Sequence, residues 1–410
     1  MNRLVLISER VSRRRLATIL RQTLHVLFPI MLLGSFAEVL KYTFLTPSGY
    51  MARLFAIPDW LPYSREFAIM MGVVFHCTID MIALYGAYAT AYFTVKVYHG
   101  EHQTAGAIGL LAFLIISYRT SATGGLSFSD ALMAQGLLIA IVVGYVVGQI
   151  IVRFAQWTKP EPYSLMRPLL IIMVLAALIN LATILIIGKL ALPTYVAGFV
   201  TQHTGTSSLW YVIVLGTLTN LLAWMAIGGP FINPPTFTDA PSWANMNAAL
   251  RAGASWHVPY RFTDTTLFHS FANFGGSGVT LALIIAILIF SKHNNYRAVS
   301  KWSIFPAIFN SHYSMMLGIP VLFNPLFIVP FVLAPVVNML IAAGFIALKW
   351  IPVAAYPVPS GTPGPLIAFI GTNGNWLSLL LGAVLIALDV LIYLPFVRLA
   401  DQVNAKGAEA

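Results

Sequence analysis

Long apolar runs, broken by short polar or glycine- and proline-rich intervals, carry the chain from Arg21 to Arg398. Crossing about 30 Å of hydrocarbon takes roughly 20 residues of helix. The pattern predicts spans near 22–43, 67–98, 105–118, 131–154, 168–190, 209–229, 275–291, 320–349 and 376–398. The run over 67–98 is long enough for one tilted helix with an interfacial extension, or for a bent pair. Two regions break the pattern: 230–274 and 350–375 are rich in Gly, Pro, Asn, Thr and aromatic residues yet hold few charges. Backbone without helical hydrogen bonds is tolerated at membrane depth only when buried in protein or lining a wet cavity, so re-entrant hairpins are expected there. The stretch FPAIFNSHYSMMLGIPVLFNP, Phe305 to Pro325, breaks in the same way. The fold class expected is an all-α polytopic membrane protein of about ten transmembrane helices.

Composition agrees: 59% of the residues are hydrophobic and 9% charged, which excludes an ordinary soluble domain. The net charge of +10 is concentrated in Arg3, Arg10, Arg13, Arg14, Arg15 and Arg21, just before the first span. That is a positive-inside signal with affinity for anionic lipid headgroups, and no nucleic-acid partner is expected. The first apolar stretch lacks a small-residue cleavage pattern, so the N-terminus is expected to be retained and cytoplasmic. Lys292, Arg297, Lys301 and the short tail after Arg398 fit the same side. Both termini inside require an even number of crossings. Cys77 alone excludes an internal disulfide framework and reads as a small apolar packing residue. No Cys/His/Asp cluster has metal spacing, and no metal or other cofactor is expected.

Three acidic residues lie in or near apolar runs, where ionisable groups are costly and mark functional or paired positions. Glu38 is three residues from Lys41, and Asp389 precedes Arg398, so pairing or interfacial exposure is expected for both. Asp80 and His76, four apart on one helical face, form the one candidate buried pair. Gly275, Gly276, Ser277 and Gly278 lack both the Walker lysine and a G-x-G-x-x-G frame. They read instead as a close backbone approach with amides exposed to a ligand. Trp224, Asn233, Trp243, Trp256, His257, Asn273, Asn310, Asn373 and Trp376 supply the aromatic faces and polar groups that sugar sites use, although Trp is also the usual interfacial anchor.

Five blocks follow one another in the second half of the chain: NFGGSGVTLALIIAILIFSK from Asn273 to Lys292, SIFPAIFN, GIPVLFNPLFIVPFVLAPVVN, TPGPLIAFIGTNGNW and LIYLPFVRLAD. Together they resemble the C-terminal half of enzyme IIC, the membrane subunit of the bacterial phosphotransferase system, in its lactose/cellobiose (diacetylchitobiose) branch. RQTLHVLFPIMLLGSF and MAQGLLIAIVVG match more loosely, so the likeness covers nearly the whole chain. The resemblance implies a homodimer in the bacterial inner membrane, with two re-entrant hairpins enclosing a sugar in a C-terminal half that moves like an elevator. It also implies a cytoplasmic enzyme IIB that phosphorylates the bound sugar. The expected organisation is a basic N-terminus over 1–21, a scaffold and dimerisation half over 22–200, a sugar-binding half over 201–398 and a cytoplasmic tail over 399–410.

In that family a histidine in a G-I-H-G turn and a glutamate in an N-x-N-E-P motif approach the hydroxyl that receives the phosphoryl group. Here the first turn reads AIGGP, with Gly228 at the histidine position. The second reads NSHYS, with Asn310 on the first Asn, His312 on the second, Tyr313 on the glutamate and Ser314 on the proline. His312 is a candidate substitute acid-base group, while a tyrosine with an ordinary pKa near 10 is a poor base at neutral pH. Relatives carry a tryptophan near the position of Ser360, before Thr362 in PSGTPG, so sugar identity is not inherited.

The sugar-binding set expected is Trp224, Asn273, Gly275, Gly276, Ser277, Asn310, His312, Tyr313, Ser360 and Thr362, for a di- or oligosaccharide. With both ionisable family positions lost, the expected function is a sugar-binding module that senses or passively gates without phosphorylation. A cytoplasmic signalling domain such as an EAL cyclic di-GMP phosphodiesterase is the partner expected of such a module. The alternative is an active permease working with enzyme IIB, and a third reading is a proton-coupled carrier using Asp80.

Overall fold

The computed structural model describes residues 15–98, 100, 102–120, 126–128, 132–157, 166–190, 208–233 and 240–409. In chain order the helices are α1 (Arg15–Val39), α2 (Tyr50–Phe55), α3 (Ile57–Trp60), α4 (Ser64–Thr78), α5 (Ile82–Val97), α6 (His102–Ser117), α7 (Leu137–Trp157) and α8 (Met166–Leu190). They continue as α9 (Leu209–Trp224), α10 (Ala240–Ala252), α11 (Thr280–Phe290), α12 (Asn294–Ile308), α13 (Tyr313–Gly318), α14 (Pro325–Ala347), α15 (Gly364–Gly371) and α16 (Trp376–Glu409). Six helical stretches are long and apolar enough to cross a membrane: Arg15–Leu45, Ser64–Val97, Ala134–Phe154, Met166–Leu185, Pro325–Ala347 and Trp376–Val403. The apolar helices α6, α9 and Ser277–Phe290 are shorter. A two-stranded antiparallel ribbon, β1 (Tyr118–Thr120) with β2 (Leu126–Phe128), is the one sheet among the described residues.

The described chain divides into two units, one holding 15–31 and 76–190 and the other 32–75 and 208–409. In the first, α5, α6, α7 and α8 pack through small residues. A Cβ on Gly144 would sit 2.5 Å from the Ala87 carbonyl oxygen, so bare backbone lets these helices approach closely. At its start, Ile79–Met81 form a 3₁₀ turn between α4 and α5, which interrupts the α-helix within the continuous Ser64–Val97 stretch. The Tyr85 hydroxyl donates to the freed Cys77 carbonyl at 2.8 Å. His76 and Asp80 do pair, but the His76 side chain is 58% exposed, so the pair is not the buried one expected. Cys77 is likewise exposed rather than packed in a core.

In the second unit α9 packs on α14, and α11 packs on α16. Pro330 and Pro335 lie inside α14, where each removes an intrahelical donor, and Asn324 caps its start by accepting from the Leu326 amide at 3.1 Å. Asp389 is fully buried, and its Oδ2 accepts from Asn338 Nδ2 at 2.8 Å. That corrects the expected pairing with Arg398: nine residues of helix separate the two by about 13 Å, and the Arg398 guanidinium lies over Phe290 instead.

Candidate functional site

The break after α12 has a definite local cause. Pro306 sits in the last turn, and beyond Ile308 the backbone reverses through Asn310, whose φ is +67°. The Ser311 amide donates to the Pro306 carbonyl and the Asn310 amide to the Ala307 carbonyl, both at 3.0 Å. This is the paired bonding of a Schellman ending, and Asn is the side-chain-bearing residue that best tolerates its left-handed position.

With the backbone so turned, the Asn310 side chain joins two other segments. Its Oδ1 accepts from the Gly275 amide at 3.0 Å, and its Nδ2 donates to the Thr362 carbonyl at 2.6 Å. One amide thus ties the α12 turn to the glycine run and to the 359–362 loop. The glycine run is held from below as well. The Gly278 amide donates to Asn220 Oδ1 of α9 at 3.0 Å, and the Tyr393 hydroxyl of α16 donates to the Gly278 carbonyl at 2.5 Å.

Gly276, at φ +96°, passes directly against His312, and a Cβ there would collide with the imidazole. His312 stacks on Tyr313 with ring centroids 4.4 Å apart. Its Nδ1 is buried and accepts or donates no hydrogen bond. Burial pushes the His312 imidazole down to about 4, against a smaller upward effect from the Asn310 backbone. The ring is neutral at pH 7, so its bare nitrogen can accept a hydroxyl proton in a hydrogen bond but is a weak base.

A stability consequence follows. The folded value lies below the ordinary 6.5, so this contribution is complete above about pH 6.5 and is lost as the pH falls toward 4, where only the unfolded chain takes up the proton. Melting in detergent from pH 7 to pH 4.5 is expected to decline less steeply in His312→Asn than in the wild type. Equal slopes would contradict a buried neutral imidazole.

The other predicted residues are distributed as follows. Ser277 is buried within the glycine run, and Asn273 opens it, its carbonyl accepting from the Gly276 amide at 3.1 Å while its Oδ1 is buried without a partner. Ser360 is exposed and bonds through its backbone to Ser48 and Tyr50. Trp224 ends α9 with its Nε1 buried and unpartnered and its ring 6.4 Å from Phe323. Gly228 follows in the turn after α9 and offers no side chain. Asn233, Trp243, Trp256, His257, Asn373 and Trp376 are exposed, which suits Trp243, Trp256 and Trp376 to anchoring rather than to a buried site.

Residues that sequence reasoning left out also stand here. The Ser311 hydroxyl donates to Glu38 Oε2 at 2.5 Å. Beyond Glu38 the first span ends as a π-helical turn, Leu40–Leu45, an irregularity common at functional sites. Tyr50 then donates its amide to the Ser360 carbonyl at 2.9 Å. Glu38 was visible as a carboxylate in an apolar run, but nothing in the chain announced a partner 273 residues away.

A family model described as Phosphotransferase system, EIIC matches residues 21–335. The lactose-specific EIICB component of the phosphotransferase system of Lactococcus lactis subsp. lactis is 27% identical over 310 residues, covering 72% of this chain and 53% of that protein. The chain therefore spans about half the length of that relative. The oligo-beta-mannoside-specific EIIC component of Bacillus subtilis (strain 168) is 24% identical over 447 residues, covering 98% and 93%. A solved structure, the transporter ChbC, the IIC component from the N,N'-diacetylchitobiose-specific phosphotransferase system, matches 98% of each chain at 22% identity and a TM-score of 0.44.

Proposed function

Because this multi-pass membrane chain belongs to the EIIC family of the phosphotransferase system, with relatives in its lactose/cellobiose-type branch, we propose that it carries a di- or oligosaccharide across the bacterial inner membrane and presents it to a cytoplasmic EIIB component for phosphorylation. The sugar lies against the Asn310 turn, the glycine run and the 359–362 loop. The observation that carries this reading is the pair of buried polar atoms left without partners around that junction: His312 Nδ1 and Asn273 Oδ1. Buried polar groups are nearly always hydrogen-bonded. Sugar hydroxyls, which donate and accept at once, can satisfy both. In the same proposal 230–274 and 350–375 form re-entrant hairpins, the N-terminal half is a dimerisation scaffold, and the C-terminal half moves against it.

A second reading keeps sugar binding without phosphorylation, the protein acting as a sensor or passive gate. It is favoured by the absence of a histidine or carboxylate at Gly228 and Tyr313. Vesicles loaded with phosphorylated EIIB and supplied with a panel of β-linked disaccharides separate the two. Internal sugar phosphate is expected; sugar that equilibrates unmodified, or binds without entering, supports the second reading and overturns the first.

A further inference from the structure

Glu38 belongs to an apolar span, where a carboxylate is costly unless it has work to do. Its position in the unit is specific: Oε2 is 2.5 Å from the hydroxyl of Ser311, the residue between Asn310, which clamps the glycine run, and His312, which lies on Gly276. The turn therefore carries neutral groups of its own and receives one carboxylate from the first helix. We propose that Glu38 is the proton-accepting carboxylate of the sugar site, supplying from α1 what position 313, a tyrosine at the start of α13, does not.

The role rests on the phosphotransferase reading above. A sugar hydroxyl oxygen attacks the phosphorus of phosphorylated EIIB, and a new O–P bond forms. The bond from phosphorus to the EIIB donor atom breaks, the donor keeping the electron pair. The hydroxyl proton passes to the Glu38 carboxylate and from there to water. A positioned carboxylate of this kind contributes about 10²–10⁴-fold, and phosphoryl transfer otherwise depends on orienting the acceptor. Ser311 holds Glu38 toward the turn and is a positioning residue.

A carboxylate that only braced the turn would be replaceable, because glutamine also offers an oxygen to the Ser311 hydroxyl. E38Q therefore separates the two roles. With reconstituted wild type and E38Q, phosphorylated EIIB and a disaccharide that the wild type binds, E38Q is expected to form sugar phosphate about 100-fold more slowly or worse while its sugar Kd changes less than about threefold. Restoration of at least about tenfold by Tyr313→Glu in the E38Q background would support the role, since a carboxylate beside the turn would then be what E38Q lacks. E38Q phosphorylating at the wild-type rate overturns the role and leaves the phosphotransferase reading standing. Equal losses in binding and phosphorylation also overturn it, reducing Glu38 to a sugar ligand. A wild type that binds sugar but forms no sugar phosphate overturns the phosphotransferase reading, and the proton-accepting role with it.

Discussion

Asn310→Ala is expected to weaken sugar binding by about 100-fold, equivalent to roughly 2.7 kcal/mol. The substitution removes the acceptor for the Gly275 amide and the donor to the Thr362 carbonyl. A polar group left unsatisfied in a part-buried setting costs about 1–3 kcal/mol, and two are released together. Alanine also bears a Cβ in the left-handed region, where Asn310 holds φ +67° and where an L-residue without a local hydrogen bond costs about 1–2 kcal/mol. Asn310→Gly separates the contributions: it keeps the backbone comfortable and deletes only the clamp. Isothermal titration is expected to show a clear loss in Asn310→Gly, from the clamp alone, and a larger one in Asn310→Ala. Full affinity in Asn310→Gly would mean that the three segments meet without the amide.

Gly276→Ala is expected to have an effect of the same order through space rather than hydrogen bonding. At φ +96° the backbone conformation already disfavours a side chain, and the added methyl would occupy the volume of the His312 ring. Either the imidazole leaves its stack on Tyr313 or the glycine run moves away from Asn310. Both misplace the atoms assigned to the sugar by more than the few tenths of an ångström a binding site tolerates. The expected result is a loss of at least about 100-fold in sugar affinity with little change in helical circular dichroism, since the run lies outside the long spans. Retained affinity would remove the glycine run from the site.

Much of the architecture was legible because a membrane span is a local property. Apolar runs of sufficient length became helices, and the proline, asparagine and glycine of Phe305 to Pro325 became a Schellman ending and a short helix. Tertiary partners were not legible, and Glu38 illustrates why. Spacing suggested Lys41 because residues three apart share a face of an α-helix. From Leu40 onward, however, the chain winds as a π-helix, and the Lys41 ammonium lies over Tyr42, 4.7 Å from the ring centroid, and Phe75. The hydroxyl that Glu38 accepts from comes from the far end of the sequence, and no periodicity encodes which span faces which.

The tryptophans are ambiguous in the sequence for a related reason. Composition identifies aromatic surface suited to a sugar or to a membrane interface, but burial alone distinguishes them. Trp224 has its indole nitrogen buried, whereas Trp376 is 73% exposed. Asp389, ahead of Arg398 in the last apolar run, reads in the sequence as paired or interfacial. It is instead fully buried against Asn338, near the helix position from which Tyr393 supports Gly278.

The most direct measurement of the central claim is an experimental structure with a bound disaccharide. The account predicts sugar hydroxyls within hydrogen-bond distance of His312 Nδ1 and Asn273 Oδ1, with the Asn310 bonds to Gly275 and Thr362 intact. A disaccharide bound elsewhere in the protein, with those two atoms still unpartnered, would contradict it.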